Sequence, residues 1–82
     1  MVVREKCGVL GVYAKDATVD VPWSLYNGLL ALQHRGQESA GIATLQKEKI
    51  VSEKAMGLVN DAFDYEALEA LSSNAGVGHV RY

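Results

Sequence analysis

Eighty-two residues, with eight Lys and Arg against ten Asp and Glu, make a small chain of net charge −2. Its composition, 49% hydrophobic and 22% charged, is that of a globular protein and excludes a disordered chain. The acidic balance argues against a nucleic-acid partner, and no apolar run nears the ~20 residues that a bilayer crossing needs.

Met1 to Lys6 lack the apolar core of a secretory signal. The single cysteine, Cys7, excludes an internal disulfide framework and a multi-cysteine metal site, and fits a reducing, cytoplasmic setting. Cys7 to Ala14 is a glycine-interrupted apolar run that reads as a buried strand. Asp20 is placed to cap the next helix, with Pro22 in its first turn, where a missing N–H costs nothing. Leu25, Leu29 and Leu32 form the apolar face of that helix, widened by Tyr26 and Leu30. Gly36 fits the position just past a helix end.

Ser39 to Leu45 reads as a second strand. Gln46 to Lys49 is polar enough to turn, and Ile50 opens a third strand running to Met56 and Gly57. Asn60 is a plausible cap for a second helix, with Phe63, Ala67 and Leu71 on one face. Val77 to Tyr82 reads as a fourth strand, with Val77, His79 and Arg81 on one side and Gly78, Val80 and Tyr82 on the other. The pattern is β-α-β-β-α-β, an α+β arrangement. A strand that runs to the last residue reads as part of a longer polypeptide. A chain this short is expected to be poorly stable alone and prone to associate.

Three places could carry chemistry. Cys7 alone is most simply a small buried hydrophobe. As a nucleophile it needs a base, because a thiol of pKa ~8.5 is mostly protonated at neutral pH. No histidine is adjacent in sequence. Its own α-amine, of pKa ~8, would serve once the six preceding residues were removed. The second place is Gln33-His-Arg-Gly-Gln-Glu-Ser-Ala-Gly-Ile42, more polar than a turn requires. The third is Gly76-Val-Gly-His-Val-Arg-Tyr82, whose Arg81 is either a surface charge or a fork for a carboxylate.

Together with Cys7-Gly-Val-Leu-Gly-Val12 and Gly57-Leu-Val59, these blocks resemble, in order and spacing, the start of the amidophosphoribosyltransferase family. Hexosamine-forming relatives differ by Tyr-Arg-Gly-Tyr-Asp where this chain has His34-Arg-Gly-Gln-Glu38. The resemblance implies part of a class II glutamine amidotransferase domain, from residue 7 to 82 behind a leader of residues 1–6. Its fold would be the N-terminal-nucleophile hydrolase αββα sandwich, here a partial domain.

By the same resemblance Cys7 is the nucleophile and, once the leader is removed, its α-amine is the base. Arg81 holds the glutamine α-carboxylate, Arg35 and Gly36 line the nucleophile's pocket, and His79 and Tyr82 support the strand. The family transfers ammonia from glutamine to phosphoribosyl diphosphate, giving phosphoribosylamine in the first step of purine synthesis. The whole enzyme would be a cytoplasmic homo-oligomer. This segment would hold no cofactor or metal; Mg2+ would belong to the rest of the enzyme, where an iron–sulfur cluster is left open. The family's Asn-Gly oxyanion pair and its substrate-reading aspartate lie downstream, so the 82 residues alone are expected to be inactive. The other readings are a different class II amidotransferase, such as the hexosamine type, and a small α/β binding module without chemistry.

Overall fold

The computed structural model describes residues 7–16, 18–33 and 38–81. The described chain runs β1 (Gly8–Tyr13), α1 (Val21–Leu32), β2 (Ser39–Gln46), β3 (Lys49–Met56), α2 (Val59–Ala62), α3 (Tyr65–Ala70) and β4 (Ala75–Arg81). The four strands form one antiparallel sheet in the order β1-β4-β2-β3. The last strand in sequence therefore lies inside the sheet, between the first and the second. The helices pack on one face only, giving an α+β unit of one sheet and one helical layer.

Helix α1 starts where its sequence says it should. The Asp20 carboxylate accepts from the Trp23 backbone N–H at 3.0 Å, and Pro22 stands in the first turn. Leu25 and Leu29 are fully buried against the sheet. Leu32, Tyr26 and Leu30 pack around them. Under this helix β4 carries Gly76 and Gly78. A Cβ on Gly76 would lie 2.8 Å from the Ala43 carbonyl oxygen and 2.9 Å from Leu25 Cδ1. Only a glycine lets helix and strand approach this closely. The rest of the core comes from Ala40, Ile42 and Val80 on the strands and Val59, Phe63, Leu68 and Leu71 from the α2–α3 region.

Five expectations need correction. Strand β1 alternates between half-buried and exposed residues along its length rather than being buried on both sides. Helix α1 ends at Leu32, three residues before the expected end at Arg35, and Gly36 lies outside the described residues. The chain leaves the helix at Gln33, which is extended (φ −68°, ψ 139°), and the Gln33 side-chain oxygen accepts from the Val59 N–H at 2.6 Å. The single second helix is two short ones. Phe63 is extended (φ −127°, ψ 125°) and drops its ring into the core, which breaks the helix there. Asn60 lies inside α2, and the side-chain cap belongs to Asp64, which accepts from the Ala67 N–H at 2.8 Å. Strand β4 begins two residues earlier than expected, at Ala75.

The far end of the sheet is closed by polar side chains. The Gln46 amide donates to the carbonyls of Ala70 and Ser72, at 2.8 and 2.9 Å. The Ser73 hydroxyl donates to the Leu45 carbonyl.

Candidate functional site

Register decides which residues meet at the other end of the sheet. Gly8 pairs with Val80, and Ala40 pairs with the same Val80 from the opposite side. Ser39 pairs with Arg81 on one side and with Met56 on the other. The pairing of β1 with β4 runs as far as Gly8 and Val80, so Cys7, next before Gly8, stands at the end of the sheet where β4 carries Arg81. Arg81, Ser39 and Met56 form one row across β4, β2 and β3, pointing away from the helices. The next row on that face is Val9, His79, Gly41 and Lys54. Period-2 alternation puts Val80 and Gly78 beneath α1 and leaves His79 and Arg81 on the open side. For Val77 to Arg81 the expected partition of β4 is therefore the observed one.

Cys7 is an exposed free thiol, and the Arg81 side chain is exposed. The two lie more than seventy residues apart in sequence and are brought together only by β1–β4 pairing. His79 is half-buried, because its ring lies across β2 where Gly41 has no side chain. A Cβ on Gly41 would come 2.5 Å from His79 Nε2 and 3.1 Å from the Lys54 Cβ. Gly41 is thus the seat of the His79 imidazole. Gly41 belongs to the second of the three candidate blocks without a role of its own there, and Lys54 belongs to none. The signal that could have found them is the pairing Gly41 makes with both His79 and Lys54, and that pairing is non-local.

The segment joining α1 to β2 is held at both flanks. On one side stands the Gln33 bond to Val59. On the other, the Glu38 N–H donates to the Arg81 carbonyl at 2.7 Å, and the Glu38 carbonyl accepts from the Gly57 N–H at 2.6 Å. Gly57 has φ +101°, a backbone conformation that suits glycine. A Cβ on Gly8 would touch Leu32, so the end of α1 sits over the Cys7 end of the sheet. The chain therefore enters residues 34–37 and leaves them beside Cys7 and Arg81. Arg35 and Gly36 themselves, like Tyr82 and the leader of residues 1–6, lie outside the described residues.

Among the described residues, no group of three or more His, Cys, Asp or Glu side chains is gathered to hold a metal ion. No described helix is long and apolar enough to cross a membrane.

Comparison with known proteins agrees with this fold. No family model matches the chain. An amidophosphoribosyltransferase of Methanothermobacter thermautotrophicus is 52% identical over 80 residues, which are 98% of this chain and 17% of that protein. A solved structure described as the allosteric regulatory enzyme of purine biosynthesis is 38% identical. It superposes with a TM-score of 0.78 over 90% of this chain and 15% of its own. The glutamine phosphoribosylpyrophosphate amidotransferase of B. subtilis, solved with ADP and GMP, is also 38% identical. Its TM-score is 0.75, over 90% of this chain and 16% of its own.

One sheet with its outer helices, led by a cysteine strand, is the N-terminal-nucleophile amidotransferase fold in part. Within that class, the chain is similar to the N-terminal, glutamine-amidotransferase part of the amidophosphoribosyltransferases. It spans about one-sixth of the length of the curated relatives it matches.

Proposed function

We propose that this chain is the nucleophile-bearing part of the glutaminase half of an amidophosphoribosyltransferase. That enzyme takes ammonia from glutamine and passes it to phosphoribosyl diphosphate, giving phosphoribosylamine. The observation that supports the reading is the β1–β4 pairing, which brings Cys7 and Arg81 to the same end of the sheet. A thiol and a guanidinium fork at one end of a sheet are the two groups that a glutaminase of this kind needs first. One attacks the side-chain amide, and the other grips the α-carboxylate.

In this reading the leader is cut between Lys6 and Cys7. The freed α-amine takes the thiol proton, and the thiolate adds to the amide carbon of glutamine. The proton passes to the departing nitrogen, so that ammonia leaves and a glutamyl thioester remains. Water then adds to the thioester, releasing glutamate and restoring the thiol. Arg81 holds the substrate carboxylate in two parallel hydrogen bonds. Arg35 and Gly36 line the pocket from the segment flanked by Gln33 and Glu38. His79, seated on Gly41, and Tyr82 keep the strand that carries Arg81 in place. With the leader attached, Cys7 has an amide nitrogen, which is no base at neutral pH.

The test is Cys7→Ser in the full-length enzyme, assayed with glutamine and with ammonia. Glutamine-dependent synthesis is expected to fall below detection, with ammonia-dependent synthesis retained. Loss of both, in a folded protein, overturns the role. Intact mass spectrometry is expected to show the active enzyme beginning at Cys7 and the 82-residue chain still beginning at Met1.

A further inference from the structure

Gly57-Leu58-Val59 carries part of the family resemblance, yet the proposed chemistry gives it no task. In the fold it is the short piece between the end of β3 and the first turn of α2. Val59 opens α2, so its N–H has no acceptor within its own helix. Leu58, at the cap position, makes no side-chain cap bond. Val59 is fully buried, and an unmet N–H there would be costly. The acceptor comes from 26 residues away in sequence, Gln33 Oε1 at 2.6 Å.

Two residues before Val59, the Gly57 N–H donates to the Glu38 carbonyl, and the Glu38 N–H donates to the Arg81 carbonyl. A line of hydrogen bonds therefore runs from the end of α1, through residues 57–59 and Glu38, to the backbone of Arg81. Gly57 makes the corner in it. Its φ is +101°, and a Cβ there would meet nothing within 4 Å. Glycine is called for by the backbone conformation and not by lack of space.

We propose that Gly57 to Val59 is a bracket that sets the position of Arg81, with Gln33 and Gly57 as its positioning residues. The proposal rests on the reading of Arg81 as the grip for the glutamine α-carboxylate. The Arg81 side chain is exposed, so its fork is placed no better than the backbone that carries it. Strand ends open readily. The Glu38 bond keeps Arg81 from doing so, and the bracket holds Glu38. Gln33 gives the bracket a fixed end, because α1 is anchored on the sheet by the buried Leu25 and Leu29.

The test uses the full-length enzyme. Gln33→Met keeps the length of the side chain and removes the acceptor; Gln33→Glu keeps an acceptor oxygen. Gln33→Met is expected to raise the KM for glutamine about fivefold to tenfold, the worth of one hydrogen bond, with kcat within about twofold. Gln33→Glu is expected to stay near the wild-type KM. Gly57→Ala, which strains the backbone without a clash, is expected to raise the same KM, and it decides the matter if Gln33→Met fails to fold. Ammonia-dependent synthesis checks the folding of each variant. Hydrogen exchange in the peptide spanning residues 57–63 reads the bracket without glutamine, and is expected to be faster in Gln33→Met and protected in Gln33→Glu. Faster exchange with an unchanged KM makes Gln33 a structural cap only and overturns the proposal. So does unaltered exchange, or a fall in kcat with both nitrogen sources at constant KM. The Cys7→Ser assay separates the two readings. An unchanged KM in an enzyme that Cys7→Ser silences sinks the bracket alone, whereas glutamine turnover that survives Cys7→Ser sinks both.

Discussion

On its helix side the sheet presents Leu10, Ile42, Thr44 and Val80 to α1 and its neighbours. One residue away along the same strands, the other side presents Cys7, Gly41, His79 and Arg81. The covered side contains the fully buried residues of the protein, and glycine serves there to let a helix close on a strand. On the bare side glycine makes room for an imidazole, and the polar groups gather at one end. Both sides depend on the same backbone hydrogen bonds. What separates them is what a side chain touches, so substitutions on the two sides should read out in different measurements.

Leu29→Ala should show the largest effect on stability. Leu29 is fully buried between α1 and Gly78, and removing a buried leucine costs ~2–5 kcal/mol. In a chain this small that is enough to abolish a cooperative urea transition. Arg81→Lys makes the opposite case. The side chain is exposed, so the unfolding midpoint should stay where it is. On the proposed function, the KM of the full-length enzyme for glutamine should rise ~10–100-fold, because lysine keeps the charge but loses a charge-assisted bond worth ~1.5–3 kcal/mol. A shifted midpoint with an unchanged KM would reverse the assignment of the two sides.

A matched pair of substitutions sharpens the comparison. Gly76→Ala drives a methyl against a backbone carbonyl and the Leu25 side chain, and should cost ~1–3 kcal/mol. Gly41→Ala meets chiefly the free end of the His79 ring, which can swing away. Its stability cost should be the smaller of the two in a parallel denaturant titration, and its glutamine KM should move more.

The smallest expected effect lies on neither face. The Thr18 hydroxyl and N–H both donate to the Asp16 carboxylate and hold its pKa below the ordinary carboxylate value. A carboxylate depressed in the folded state contributes stability above its unfolded pKa, and that contribution is lost as pH falls through the folded pKa. Thr18→Ala removes the hydroxyl bond and leaves the backbone one. The Asp16 titration followed by NMR should move upward, and the small gain in stability from acid to neutral pH should shrink.

The parts of the fold legible in sequence are those fixed by near neighbours. Asp20, Pro22 and the leucine spacing give α1 its start and its buried face. The alternation of Gly78, Val80 and their neighbours gives β4 its two sides. The break at Phe63 was not legible, because nothing local forbids a helix there; the ring leaves the helix for a place in the core. The cap at Asp64 was hidden for the same reason. The candidate site divides in the same way. Cys7, Arg81 and His79 could be picked out as residue types in motifs. That they gather at one end of the sheet, with Gly41 beneath the imidazole, follows from pairings between distant strands that no short window contains. Arg35, Gly36 and Tyr82 lie outside the described residues and add nothing to either side.

The position of β4 also sets an order of events. Strands β2 and β3 are joined by a tight turn and can pair as soon as both have been made. Strand β1 has no neighbour among the described strands except β4, which is synthesised after the other three. At ~5–20 residues per second, the first strand of a growing chain waits several seconds for its partner. Contacts of such long sequence separation also form late, since the loop between them must be closed first. A hairpin with its helices is therefore the earliest structured species, and Cys7 remains on an unpaired strand until residue 81 has arrived. Cys7 and Arg81 come to the same end of the sheet in one step, and the described sheet closes only when β4 slots into its middle.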